Sequence, residues 1–123
     1  MIKGIGCDII RAERLARPLE SAHFVERIYT EAERKLLEAP GTRLMTAAGR
    51  WAAKEAVAKA LGVGITGCPP ENVSVERSAS GAPVVRLSGA AAALLAPGDR
   101  IHLSISHDGD YAMAYAVWEG EER

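Results

Sequence analysis

The sequence predicts an α+β domain in which an antiparallel sheet packs against one long central helix. Three observations point there. The stretch 49–62, GRWAAKEAVAKALG, gathers small residues into one stripe at helical spacing. Runs of alternating apolar residues lie near both ends of the chain. Ser-Gly and Asp-Gly signals join neighbouring runs as hairpins.

In chain order, residues 2–10, IKGIGCDII, alternate as a strand does, with Ile5, Cys7 and Ile9 on one face and Gly4, Gly6 and Asp8 on the other. The apolar face is expected to be core. Glycine weakens a strand, so two of them beside Asp8 imply that a helix or a ligand approaches the backbone there. Residues 11–20, RAERLARPLE, read as a short helical piece interrupted by Pro18, with Arg11, Arg14 and Arg17 forming a small basic edge at i, i+3 spacing. Phe24, Val25 and Ile28 supply apolar contact. Thr30-Glu31-Ala32-Glu33 is a capping box that opens a helix running to Glu38, and Pro40-Gly41 closes it.

The central helix starts at Thr42-Arg43 and stops at Gly62, about five turns in all. Ala48, Gly49, Ala52, Ala53, Ala56 and Ala60 form its small-residue stripe, which lets another element approach the axis closely. Glu55 lies on the edge of that stripe, with Trp51 one turn before and Lys59 one turn after. Arg50 and Lys54 stack one turn apart on the opposite side, a like-charge pair that an anion would relieve. Glu55 and Lys59 also suit an ordinary i, i+4 ion pair, and Arg50 with Lys54 an ordinary solvated face.

Beyond the helix, GVGITGCPPEN is a loop by its glycine and proline content. Residues 73–77 and 83–88 form a hairpin turning at Ser80-Gly81, and 89–96 a short apolar helix ended by Pro97-Gly98. The last two strands are IHLSISH, with Ile101, Leu103 and Ile105 inward and His102, Ser104 and Ser106 on the polar face, and YAMAYAVW. They are joined by a tight turn at His107-Asp108-Gly109-Asp110.

At 123 residues, with no repeat and no dividing linker, the chain is expected to be a single domain, 1–123. Fifteen basic residues against sixteen acidic give a net charge of -1, which offers no global basicity for nucleic acid. Cys7 and Cys68 have neither zinc-site spacing nor disulfide density and read as reduced thiols. No apolar run approaches a membrane span and no signal-peptide pattern opens the chain, so a cytoplasmic location is expected. Aromatic residues make up only 5%, which leaves few bulky anchors for a core and suggests that other subunits complete it.

Asp8 on a glycine-faced strand and Glu55 on a small-residue helix face fit a Mg²⁺ site that leaves positions for water and substrate phosphates. Arg50, Lys54, Lys59, Ser106 and His107 would surround it with phosphate donors, which makes phosphoryl-type transfer the natural reaction class. No His/Cys cluster supports zinc.

GIGCDII, FVERIYTEAE, GRWAAKEAVAKALG and HLSISHDGDYAMA, in that order along the chain, closely resemble the holo-(acyl carrier protein) synthase family of small 4'-phosphopantetheinyl transferases. The resemblance implies that coenzyme A is the donor, that its phosphopantetheine arm moves to a serine of apo acyl carrier protein, and that adenosine 3',5'-bisphosphate leaves. It further implies that Asp8 and Glu55 hold Mg²⁺ and, with Lys59 on a diphosphate oxygen, form the catalytic set. Arg50, Ser106 and His107 would hold the 3'-phosphate, with Lys54 and Gly62 also in the cofactor site. Arg14 and Arg17 would meet the acidic recognition helix of the carrier, where exposed charge governs on-rate and register. It implies a homotrimer with sites between subunits. Glu55 acting through a water and a metal-bound water both stand as general base. A non-catalytic coenzyme A- or nucleotide-binding domain that keeps the fold and a Mg²⁺-dependent phosphohydrolase are the rival readings.

Overall fold

The computed structural model describes residues 1–121. Its largest sheet holds three antiparallel strands, β1 (Ile2–Arg11), β4 (Arg100–Asp108) and β5 (Tyr111–Glu119), in the order β1-β5-β4. A separate two-stranded sheet pairs β2 (Val73–Arg77) with β3 (Pro83–Leu87). The helices are α1 (Ala22–Ile28), α2 (Glu31–Leu36), α3 (Arg43–Leu61), α4 (Gly64–Gly67) and α5 (Gly89–Ala93). The architecture is the expected one: α+β, with an antiparallel sheet against a long central helix.

Helix α3 lies across the larger sheet, and the residues at the crossing explain how it gets there. Gly4 and Gly6 of β1 face the helix so closely that an added Cβ would stand 1.9 Å from the Ala60 carbonyl oxygen and 2.1 Å from that of Ala56. Opposite them, Ala112, Ala114 and Ala116 of β5 are fully buried, as are Ala48, Ala52, Ala53 and Ala56 of α3. Two surfaces without bulk thus meet backbone to backbone. Gly62 ends the helix at φ +75°, a left-handed conformation that costs glycine nothing, and its N–H bonds the Lys59 carbonyl.

This packing reverses one expectation. Ile5, Cys7 and Ile9 do not form the core face of β1: Ile5 is 58% and Ile9 64% exposed, and Cys7 is exposed too. The glycine side is the inner one because only it admits a helix. Tyr111, Met113 and Tyr115 of β5 share the outer face and are likewise exposed.

The same core continues between α1, α2, α3 and the β2-β3 hairpin, where Tyr29, Leu37, Val57, Cys68, Val73 and Val75 are buried. The Tyr29 hydroxyl donates to the Ala47 carbonyl at 2.8 Å. The capping box forms as expected, with Thr30 N–H donating to Glu33 Oε1 at 2.8 Å and Glu33 N–H to Thr30 Oγ1 at 3.3 Å.

Smaller departures follow from local geometry. Residues 12–15 and 18–20 are two 3₁₀ turns, with Arg11 at the end of β1, paired to Glu13 and to the Tyr111 hydroxyl, so the basic edge begins at Arg14. Helices α2 and α5 stop two and three residues short of the expected Glu38 and Ala96, and the loop after Gly62 contains α4. No helix in the described residues is long and apolar enough to cross a membrane.

Candidate active site

Strand β1 carries Asp8 on the same face as Gly4 and Gly6, so it points towards α3, where Glu55 and Lys59 sit one turn apart. The Lys59 ammonium lies 3.3 Å from Asp8 Oδ1 and donates to the Cys7 carbonyl at 2.9 Å. Partial burial pushes the Glu55 carboxyl above its ordinary range, the Asp8 charge adds to that, and Lys59 opposes it. A carboxyl raised first by burial and then by a neighbouring carboxylate is a place where a cation would be welcome. Asp8 and Glu55 open into one cavity of about 350 Å³, which Arg14, Phe24 and Trp51 also line. Phe24 and Trp51 stack with ring centroids 6.2 Å apart.

Among the described residues no three His, Cys, Asp or Glu side chains converge as a metal cage. Two hard carboxylates without a third suit a Mg²⁺ ion that keeps most of its coordination for water and substrate oxygens.

A second pocket, of about 170 Å³, is lined by Arg50, Arg77, Gly81, Pro83, Ile105 and His107. His107 packs over Gly49, where an added Cβ would stand 3.2 Å from its Nε2. Burial lowers the Arg50 pKa, the nearby Arg77 charge lowers it further, and Glu33 opposes them. Two guanidinium groups and an imidazole with no carboxylate among the lining residues are chemistry that suits an anion. Arg77 is absent from the sequence reading; one arginine at the end of a short strand gives no signal until the hairpin folds over α3.

Three expectations change here. Lys54 is not a phosphate ligand and Arg50 with Lys54 is not a solvated face. Lys54 is 3% exposed, its ammonium sits 2.6 Å from Glu33 Oε1, and it also donates to the carbonyls of Pro70, at 2.9 Å, and Val73. Its three donors are spent inside the protein. Burial pushes its pKa down, with Glu33 opposing. Ser106 and His107 do not form one donor pair within a chain: His107 faces α3, while Ser106 stands opposite Met113 on the outer face. Finally, the donors do not make one constellation in a single chain. Arg50 and Glu55 are about 140° apart around the helix axis, and the two pockets share no lining residue.

Of the remaining expected residues, Arg14 is at the mouth of the carboxylate cavity, Arg17 is exposed but outside its lining, and Gly62 is exposed at the end of α3.

The model of the 4'-phosphopantetheinyl transferase superfamily matches residues 4–116. The chain belongs to that superfamily. It is 42% identical over 124 residues to a holo-[acyl-carrier-protein] synthase of Clostridium tetani, with 98% of each chain covered. Among solved structures it resembles a Bacillus anthracis holo-(acyl-carrier-protein) synthase in complex with CoA (3',5'-ADP), at 39% identity and a TM-score of 0.83 over 98% of this chain and 99% of that one. The Neisseria meningitidis synthase gives 33% identity and a TM-score of 0.86, with 97% and 99% covered. Family and fold therefore stand as the sequence motifs imply.

Proposed function

We propose that this transferase moves the 4'-phosphopantetheine arm of coenzyme A to a serine of apo acyl carrier protein in a Mg²⁺-dependent reaction that releases adenosine 3',5'-bisphosphate. The observation that carries the reading is that Asp8 and Glu55 line one cavity while Asp8 also pairs with Lys59, in a chain matched by the superfamily model from residue 4 to 116.

Asp8 and Glu55 would hold Mg²⁺, which when bound neutralises diphosphate charge and stabilises the departing bisphosphate. Lys59 is half exposed and can swing from Asp8 to a diphosphate oxygen. Arg50, Arg77 and His107 take the 3'-phosphate, with Arg50 and Arg77 supplying forked donors and His107 a ring N–H. Fixing the donor at its diphosphate and at its 3'-phosphate leaves the β-phosphorus in one place, so that the carrier serine meets it in line. Arg14, which lines the cavity and is exposed, would meet an acidic helix of the carrier, and Arg17 would extend that basic edge.

The active enzyme is a homotrimer with each site shared between neighbours. Two features support this: the carboxylate and phosphate pockets lie on different sides of α3, and the outer sheet face bears Ile5, Ile9, Met113 and Tyr115 uncovered. Phosphate donors of one copy, Ser106 included, would then complete the carboxylate site of the next. Both cysteines are free thiols, which accords with a cytoplasmic enzyme.

The test is direct. Incubation with coenzyme A, Mg²⁺ and apo carrier protein should add the mass of one phosphopantetheinyl group to the carrier. No gain across several carriers overturns the reading, and release of the bisphosphate without such a gain marks a hydrolase.

A further inference from the structure

The phosphate pocket rests on a buried ion pair that the transfer chemistry itself does not use. Glu33 of α2 is fully buried and Lys54 of α3 is 3% exposed, with carboxylate and ammonium 2.6 Å apart. Removing two charges from water is costly, and apolar side chains of similar volume often fill such a place at no loss. The use of this pair lies in what else it touches. Lys54 also donates to the Pro70 and Val73 carbonyls, and Glu33 Oε2 accepts the Val75 N–H at 2.7 Å. The Val75 carbonyl in turn accepts from Arg50 Nε at 3.2 Å.

Strand β2 has only β3 as a hydrogen-bonded neighbour, so its other edge would leave backbone groups unmatched. Side chains of α2 and α3 take the place of a third strand along that edge. Val75 is held through both its backbone groups, by Glu33 on one side and Arg50 on the other. Two residues further on is Arg77, and beyond it are Gly81 and Pro83, which with Arg50 and His107 line the anion pocket. A shift of β2 would move Arg77 and release Arg50 together.

We propose that Glu33 and Lys54 are positioning residues for the donor's 3'-phosphate: their pair fixes β2 against α3 so that the guanidinium groups of Arg50 and Arg77 line one pocket. This rests on the assignment of that pocket to coenzyme A made above. The pair touches no substrate, and it acts through Val75.

The test compares coenzyme A with dephospho-coenzyme A, donors that differ only in the 3'-phosphate. The wild-type enzyme should have a KM for the dephospho donor at least about tenfold higher. In Glu33→Gln the KM for coenzyme A should rise about tenfold, collapsing the ratio towards one, while the dephospho donor and the carrier change by less than about twofold. An unchanged ratio in a folded Glu33→Gln enzyme overturns the proposal. Where that variant is too unstable to assay, the paired Glu33→Leu/Lys54→Met enzyme removes both charges and should regain Tm. Its donor ratio should stay collapsed, and recovery of the ratio along with stability would show that the pair serves folding alone. A wild-type enzyme that transfers both donors equally well overturns the pocket assignment, whereas one that loads no carrier overturns the proposed function itself.

Discussion

Burial and the Asp8 charge both push the Glu55 carboxyl above its ordinary range, and Lys59 opposes them. A carboxyl whose folded pKa is raised stabilises the fold at pH below its unfolded value, and that contribution is lost as pH rises through the raised value. At neutral pH and without metal, ionised Glu55 is therefore a burden on the fold. Glu55→Gln should raise Tm at pH 7 in the absence of Mg²⁺ while lowering transfer at least about 100-fold, a combination that thermal melts and carrier loading read together. A fall in both would mean that Glu55 is a structural residue. At limiting Mg²⁺, wild-type kcat/KM should fall as pH drops through a midpoint above the usual glutamate value of about 4.3, because only the ionised form holds a cation. At this scale Asp8, Glu55 and Lys59 are legible in the sequence because each sits inside a short motif. Lys54 is not: its partner Glu33 lies twenty-one positions away on another helix, and nothing local fixes that meeting.

Elements read well where a residue type has one structural consequence and poorly where it has two. Helix α3 ends where expected because Gly62 adopts a left-handed φ of +75°. Thr30 and Glu33 open α2 as the capping-box spacing demands. The faces of β1 are another matter. Alternation separates two faces without saying which is inside, and hydrophobicity alone chooses Ile5 and Ile9, which are exposed. The deciding feature is steric: glycine on one side admits helix backbone. Gly6→Ala tests this, since its Cβ would stand 2.1 Å from the Ala56 carbonyl oxygen, an atom with no flexible chain to move aside. Overpacking of this kind costs about 1–3 kcal/mol, so Tm should fall on the order of 10 °C. Cys7→Ala, on the outer face of the same strand, should leave the fold of the isolated chain nearly unchanged. Equal losses in the two variants would put the helix on the wrong side of β1.

For the whole molecule, the scarcity of aromatic residues and the exposed outer sheet face both accord with the proposal that other copies complete its burial and its active site. Helical spacing alone sets Arg50 and Glu55 about 140° apart around α3; what the sequence cannot give is the set of partners that makes each side a pocket, Asp8 and Arg14 on one and Arg77 and His107 on the other. The split permits a decisive experiment on the proposed trimer. Glu55→Gln removes the carboxylate half, and the double variant Arg77→Ala/His107→Ala weakens the phosphate half; each alone should load little carrier at subsaturating coenzyme A. Co-expressed in equal amounts and assembled at random, about a quarter of interfaces would join an intact Glu55 from one copy to intact Arg77 and His107 from the next. Carrier loading per subunit should then recover to about a quarter of wild type. If both halves acted within one chain, every site would carry one lesion or the other, and the mixture would stay near the mean of the two separate variants. Ile5→Lys, which places a charge on the outer sheet face, supplies the control: added to both partners it should give monomers in sedimentation and abolish the recovery, because no interface remains on which the halves can meet.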